Sequence, residues 1–174
     1  MFDETWMMGL SSRLIELVKG SIIAGMYAGL VYALAPISFQ EFQVRVADAL
    51  LILPFLDYFG FPAVIGLTIG CVLANIVSPY GVLDIAVGSL ANFAAGIVAW
   101  FIGRRSKSIL ALITTSIIEA LIVSFIVGYF IIYLIGGLGN LLIAIGLVLV
   151  GSIVSICFIG VPLALFLMKR LGLK

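Results

Sequence analysis

The sequence predicts an all-α integral membrane protein: one domain over residues 1–174, six transmembrane helices, both termini in the cytoplasm. Three observations carry this. Of 174 residues, 64% are apolar and 10% charged, and mean hydropathy is +1.38. A soluble domain is about 45–50% apolar and about 25% charged, so this chain cannot supply the polar skin of a water-soluble globule. Uncharged runs recur along the chain at the roughly 20-residue length that crosses about 30 Å of hydrocarbon. Basic residues fall on one side of the membrane when six crossings are counted.

The predicted spans, in order, are roughly 15–38, 41–57, 61–77, 82–103, 109–135 and 141–168. Met1-Phe2-Asp3-Glu4 is acidic where a secretory signal is basic, so no cleaved leader is expected. Gly20 to Gln40 carries no charge and supplies the first span. Tyr58 to Leu83 is uncharged and bounded by the turn signals Gly60-Phe61-Pro62 and Ser78-Pro79-Tyr80-Gly81, giving the third. Ile85 to Gly103 ends at the basic cluster Arg104-Arg105-Ser106-Lys107. Ala120 to Met168 is uncharged and too long for one helix, so a break is placed at Gly136-Gly137-Leu138-Gly139-Asn140. Residues 41–57, with Glu41, Arg45 and Asp48, are undecided by hydropathy alone.

Charge decides them. If 41–57 crosses, Arg13, Lys19, Arg104, Arg105, Lys107, Lys169, Arg170 and Lys174 share one face, eight of nine basic residues. That is the asymmetry of a cytoplasmic side. The loops near Ser38, Pro79 and Gly137 are then external. A net charge of +1 leaves no basic field for nucleic acid. With no histidine and two cysteines, a metal site is not expected; Cys71 and Cys157 read as small buried hydrophobes. No phosphate-binding loop, nucleotide turn or nucleophile with a histidine base is present, so neither enzyme activity nor a cofactor is expected.

The polar residues inside the spans are the candidate site. In a helix, Glu41 and Asp48 stand at i−4 and i+3 from Arg45, so the three share a face. They either neutralise one another or form part of an external polar pocket. Asn75 lies near the external end of the third span, and Asp84 opens the fourth, where a carboxylate suits a helix N-terminus. Asp84, Gly88, Asn92 and Gly96 form one stripe, with the glycines suited to close helix packing. Glu119 is the deepest charge, about 15 Å from the cytoplasmic end at 1.5 Å per residue. A carboxylate there is costly and marks a functional position. Ala24 and Ala28, in a small-residue patch of the first span, permit close approach of another helix.

The segments Ala35-Pro36-Ile37-Ser38, Phe42 to Leu50 and Leu53-Pro54-Phe55 resemble the QueT (queuosine-precursor transporter) family. So do Gly66, Gly70 to Asn75, Ser78-Pro79-Tyr80-Gly81, Asp84 and Gly88-Ser89-Leu90. The likeness is dense over residues 21–102 and thins afterwards, with Gly160-Val161-Pro162-Leu163 a late echo. It implies the six-helix bundle of a substrate-binding S-component of an energy-coupling-factor (ECF) importer in a prokaryotic plasma membrane. The partners it implies are a membrane coupling subunit and two ATPase subunits, docked through Ala24 and Ala28. Two positions depart from the family pattern. Asp48 stands where the family has glutamate, and Glu119 and Ser152 stand where it has asparagine on helix five and glutamate on helix six.

Two functions are open. One is an S-component binding a 7-deazaguanine or similar small heterocycle. Glu119 or Asp84 would accept paired N–H groups, Asn75 and Asn92 would read the ring edge, and Phe39, Tyr80 or Phe93 would stack on it. Arg45, Glu41 and Asp48 complete that pocket. The other is a self-sufficient transporter or channel with Glu119 as an ion or proton site. A purely structural membrane protein would leave Glu119 unexplained.

Overall fold

The computed structural model describes residues 4–39 and 44–172, with side chains described from Ser11 onward. Helix α1 runs Glu4–Ala33, followed by the single turn Ala35–Ser38. Next comes a tightly wound segment, α2, over Val46–Phe55. Helix α3 is Gly60–Ala74, carried on by one turn to Val77. Helix α4 is Val82–Gly103, and α5 is Ile109–Val127 with a wide-turned continuation Gly128–Ile135. Helix α6, Leu141–Ser152, passes through a second wide-turned stretch, Ile153–Gly160, into α7, Val161–Leu171. The described residues contain no strand.

Five stretches are long and apolar enough to cross a membrane: Ser11–Ala33, Gly60–Val77, Val82–Gly103, Ile109–Ile135 and Leu141–Leu171. Their outward faces are apolar too, with Leu142 80% exposed and Val82 78%. In water such a surface would aggregate; in a bilayer it is the lipid-facing belt. Aromatic side chains gather at both ends, Tyr58, Phe61 and Trp100 at one and the stacked Tyr129 and Tyr133 at the other. Interfacial girdles have this composition.

The second predicted span departs from expectation. Residues 40–43, including Glu41, lie outside the described residues, and Arg45 is extended (φ −89, ψ 95) rather than helical. From Val46 the chain winds with three residues per turn, a form that rises about 2.0 Å per residue and so carries ten residues about 20 Å. Asp48 N donates to Arg45 O at 2.8 Å, three residues back, and Pro54 has no N–H to offer to a wider turn. Leu50-Leu51-Ile52-Leu53 is apolar on every side, and each residue from Ala47 to Phe55 is buried. A segment apolar all round belongs in the middle of a bundle.

α2 accordingly sits among α1, α3, α4, α5 and the wide-turned stretch of Ile153–Gly160. It runs along α4, from Arg45 beside Asp84 at one end to Phe55 beside Gly103 at the other. Two glycines permit this approach. A Cβ at Gly160 would stand 2.9 Å from Ala49 O, and one at Gly103 would collide with the Phe55 carbonyl. Lysines close the Phe55 end: Lys107 Nζ donates to Phe55 O at 2.7 Å and pairs with Asp57 at 2.8 Å, and Lys19 Nζ donates to Tyr58 O at 2.7 Å. Cations at the end of a helical segment meet its unpaired carbonyls.

The other connections follow from local chemistry. Ser108 caps α5 by accepting from Ala111 N at 3.1 Å. Gly136 ends the long fifth stretch, Gly137 turns the chain at φ +72, and Asn140 caps α6 through Leu142 N and Ile143 N.

Candidate functional site

The buried polar side chains concentrate at the Asp84 end. Arg45 and Asp84 are 4% and 0% exposed and form an ion pair at 3.2 Å. Asp84 Oδ2 also accepts from Ser78 Oγ at 2.5 Å, and Asn75 Nδ2 donates to the Asp84 carbonyl at 2.8 Å. The turn Ser78-Pro79-Tyr80-Gly81 makes this geometry, since Gly81 at φ +70 reverses the chain and returns Asp84 over Asn75. Asp84 is therefore not at an open mouth, as its place at the start of α4 implied. It is buried because Arg45 reaches it from 39 residues away.

Asp48 is also buried, and its partner lies outside the expected acidic-basic cluster. Tyr27 Oη on α1 donates to Asp48 Oδ1 at 2.6 Å. The shared Glu41, Arg45 and Asp48 face fails because the chain is extended at Arg45, which turns Arg45 to α4 and Asp48 to α1. Glu41 itself lies outside the described residues. Phe39 packs over the pair, its ring 5.4 Å from the Arg45 guanidinium carbon, a cation–π contact.

Between these groups lies a cleft of about 240 Å³ of empty space, at the low end for a small-molecule site. Arg45, Asp48 and Asn92 are its polar lining, Gly88 its floor, and Val123, Val127 and Val148 its apolar wall. Asn92 Nδ2 donates to Leu67 O at 3.4 Å, which leaves its amide oxygen for another donor. Gly88 is required: a Cβ there would stand 2.5 Å from Asn75 Nδ2 and 3.3 Å from Cys71 Sγ. Cys71 is buried and Cys157 half-buried, both free thiols.

Glu119 lies on the same face of α5 as Val123 and Val127, four and eight residues on, and so on the site side of that helix. It is 0% exposed, and neither carboxylate oxygen has a hydrogen-bond partner among the described residues. Asp48 acts on it electrostatically. Asp84 Oδ1, Asn75 Oδ1 and Arg45 Nε are likewise buried without a partner among the described residues. Native interiors leave few such atoms, and each signals an unmet interaction.

Some expected residues fall elsewhere. Tyr80 is half-buried, its backbone N–H donating to Ser78 Oγ at 3.2 Å. Phe93 is 37% exposed and faces outward. Ala24 and Ala28 are 5% and 6% exposed; they turn inward toward α3, where a Cβ at Gly70 would meet the Ala24 carbonyl at 2.9 Å. Ser152 is buried at 2%. Tyr27 was not anticipated; its signal was a lone phenol in a run of small residues, a group that seeks a partner when buried.

No curated protein and no solved structure matches the chain. The family model described as QueT transporter matches residues 17–169, which spans α1 from its lower third, the whole cleft and α7. On that match the chain belongs to the QueT transporter family, a family of membrane transporters.

Proposed function

We propose that the protein is the substrate-binding S-component of an ECF-type ATP-driven importer that captures a queuosine precursor, a 7-deazaguanine, from the external side. The observation that carries the reading is the buried cleft at the Asp84 end, ringed by Arg45, Asp48, Asn92 and nearby Glu119 with bonding capacity unspent. A guanine-like edge presents paired N–H groups, which a carboxylate accepts in bidentate fashion, while amide and guanidinium groups meet its carbonyl and ring nitrogens. Family membership supports transport, and the resemblance supports the ECF arrangement, with a membrane coupling subunit and two ATPase subunits as partners.

In this reading α2 is the sixth crossing, shortened by its tight winding, and both termini and the Arg104 to Lys107 loop are cytoplasmic in a prokaryotic plasma membrane. The Asp84 end is then external, which suits capture from outside. Docking falls to α1. Because Ala24 and Ala28 face α3, close approach of the coupling subunit uses the exposed stripe beside them, Ser21, Gly25 and Gly29, where a Cβ at Gly25 or Gly29 meets nothing within 4 Å.

The test is reconstitution. Purified protein alone should bind a 7-deazaguanine but move none into liposomes, and transport should begin when coupling and ATPase subunits are added with ATP. Transport by the protein alone, driven by a sodium or proton gradient, would overturn the reading in favour of a self-sufficient carrier using Glu119 as its ion site.

A further inference from the structure

The interior at the Asp84 end holds more negative charge than its own cation neutralises. Four ionisable side chains with acidic or basic heads are buried there: Arg45, Asp48, Asp84 and Glu119. Arg45 is bound to Asp84 at 3.2 Å, which accounts for one charge of each sign. Asp48 and Glu119 remain, and neither has an ion-pair partner among the described residues. The nearest lysines in sequence and space to α2, Lys19 and Lys107, are held at its opposite end by the Tyr58 and Phe55 carbonyls. Tyr27 satisfies Asp48 Oδ1, whereas both oxygens of Glu119 lack a donor among the described residues. Two buried carboxylates acting on one another in a low-dielectric interior repel unless positive charge comes between them.

We propose that the ligand is an organic cation: a small planar heterocycle bearing an ammonium or amidinium group that sits between Asp48 and Glu119. The proposal rests on the reading above and narrows it to the charged members of the 7-deazaguanine class. An ammonium brings three N–H donors to the carboxylate oxygens that Tyr27 leaves open. A divalent metal fits poorly, since it takes six or more oxygen ligands and no group of three or more His, Cys, Asp or Glu side chains converges among the described residues. Arg45, spent on Asp84, stays as the positive wall that orients the ring, with Asn92 across the cleft.

Two matched pairs of probes test this on the purified full chain by calorimetry. 7-Aminomethyl-7-deazaguanine and 7-cyano-7-deazaguanine share a ring and differ in charge; benzamidine and benzamide do the same without the deazaguanine. The aminomethyl compound should bind at least tenfold tighter than the nitrile, and benzamidine at least tenfold tighter than benzamide. Glu119→Gln should reduce the first ratio to threefold or less, and Asp48→Asn serves if that variant does not fold. A preference below tenfold in both pairs, with the deazaguanines binding, overturns the charge assignment and leaves the precursor reading standing. No binding of either deazaguanine, with benzamidine still preferred tenfold, overturns the precursor reading and supports the charge assignment. Binding of no probe, or no preference in any pair, overturns both.

Discussion

Tyr27 on α1 and Asp48 on α2 are joined by a buried hydrogen bond of 2.6 Å that ties a long peripheral helix to the tightly wound centre of the bundle. The phenol hydrogen goes to one carboxylate oxygen and leaves the other toward the cleft that Asp48 lines.

Tyr27→Phe removes that donor and leaves a buried acceptor unmet, a loss of about 1–3 kcal/mol. The variant should melt earlier in detergent and bind ligand several-fold more weakly, because Asp48 is no longer held in register. Unchanged melting and affinity would show that the bond neither stabilises the fold nor positions Asp48.

The Arg45 and Asp84 pair should behave as a unit. Either Arg45→Leu or Asp84→Leu strands a buried charge and should cost about 3–5 kcal/mol, whereas the double variant should recover much of that loss. Thermal unfolding of all four proteins gives the coupling. Additive losses would mean that the two side chains do not depend on each other.

How far these relationships were legible in the sequence depends on their range. Span ends were readable where a charge, cap or glycine turn interrupts an apolar run, as at Gly103, Asn140 and Gly136. The tight winding of α2 was not, because Leu50 to Leu53 is apolar whichever period is imposed on it, and three residues per turn leaves no mark. The Arg45 and Asp84 partnership spans 39 residues, whereas helical spacing offered Arg45 only its neighbours Glu41 and Asp48. Glu119 stood out, since a carboxylate deep in an uncharged run has no local explanation. The inward turn of Ala24 and Ala28 did not, because α1 is apolar on both faces and its partner helix is set by Gly66 and Gly70 of α3.

On α1, bulk should separate docking from folding. Gly25→Leu adds a side chain into open space on an exposed face, so ligand binding and melting should hold while transport in the full complex falls at least tenfold. Ala28→Leu places the same bulk in the buried contact with α3 and should lower stability by about 1–3 kcal/mol, the usual cost of overpacking. Normal transport by Gly25→Leu would remove this face from the docking surface.

Crowding α2 should be similarly informative. Gly103→Ala drives a methyl group into the Phe55 backbone, and Gly160→Ala drives one to 2.9 Å from Ala49 O. Both should destabilise the protein, whereas Gly146→Ala, with nothing within 4 Å of its Cβ, should not. Equal melting temperatures for the three would contradict the central placement of α2.

The most direct measurement is calorimetric titration of purified wild type and Glu119→Gln with 7-aminomethyl-7-deazaguanine. Replacing one carboxylate oxygen by an amide keeps the shape and turns an acceptor into a donor, so the expected loss is about 2–5 kcal/mol of binding, as for breaking one side of a buried charged pair. Melting should be preserved, since neither Glu119 oxygen bonds to a described residue. Wild-type affinity in Glu119→Gln would place this carboxylate outside the ligand site and contradict the account.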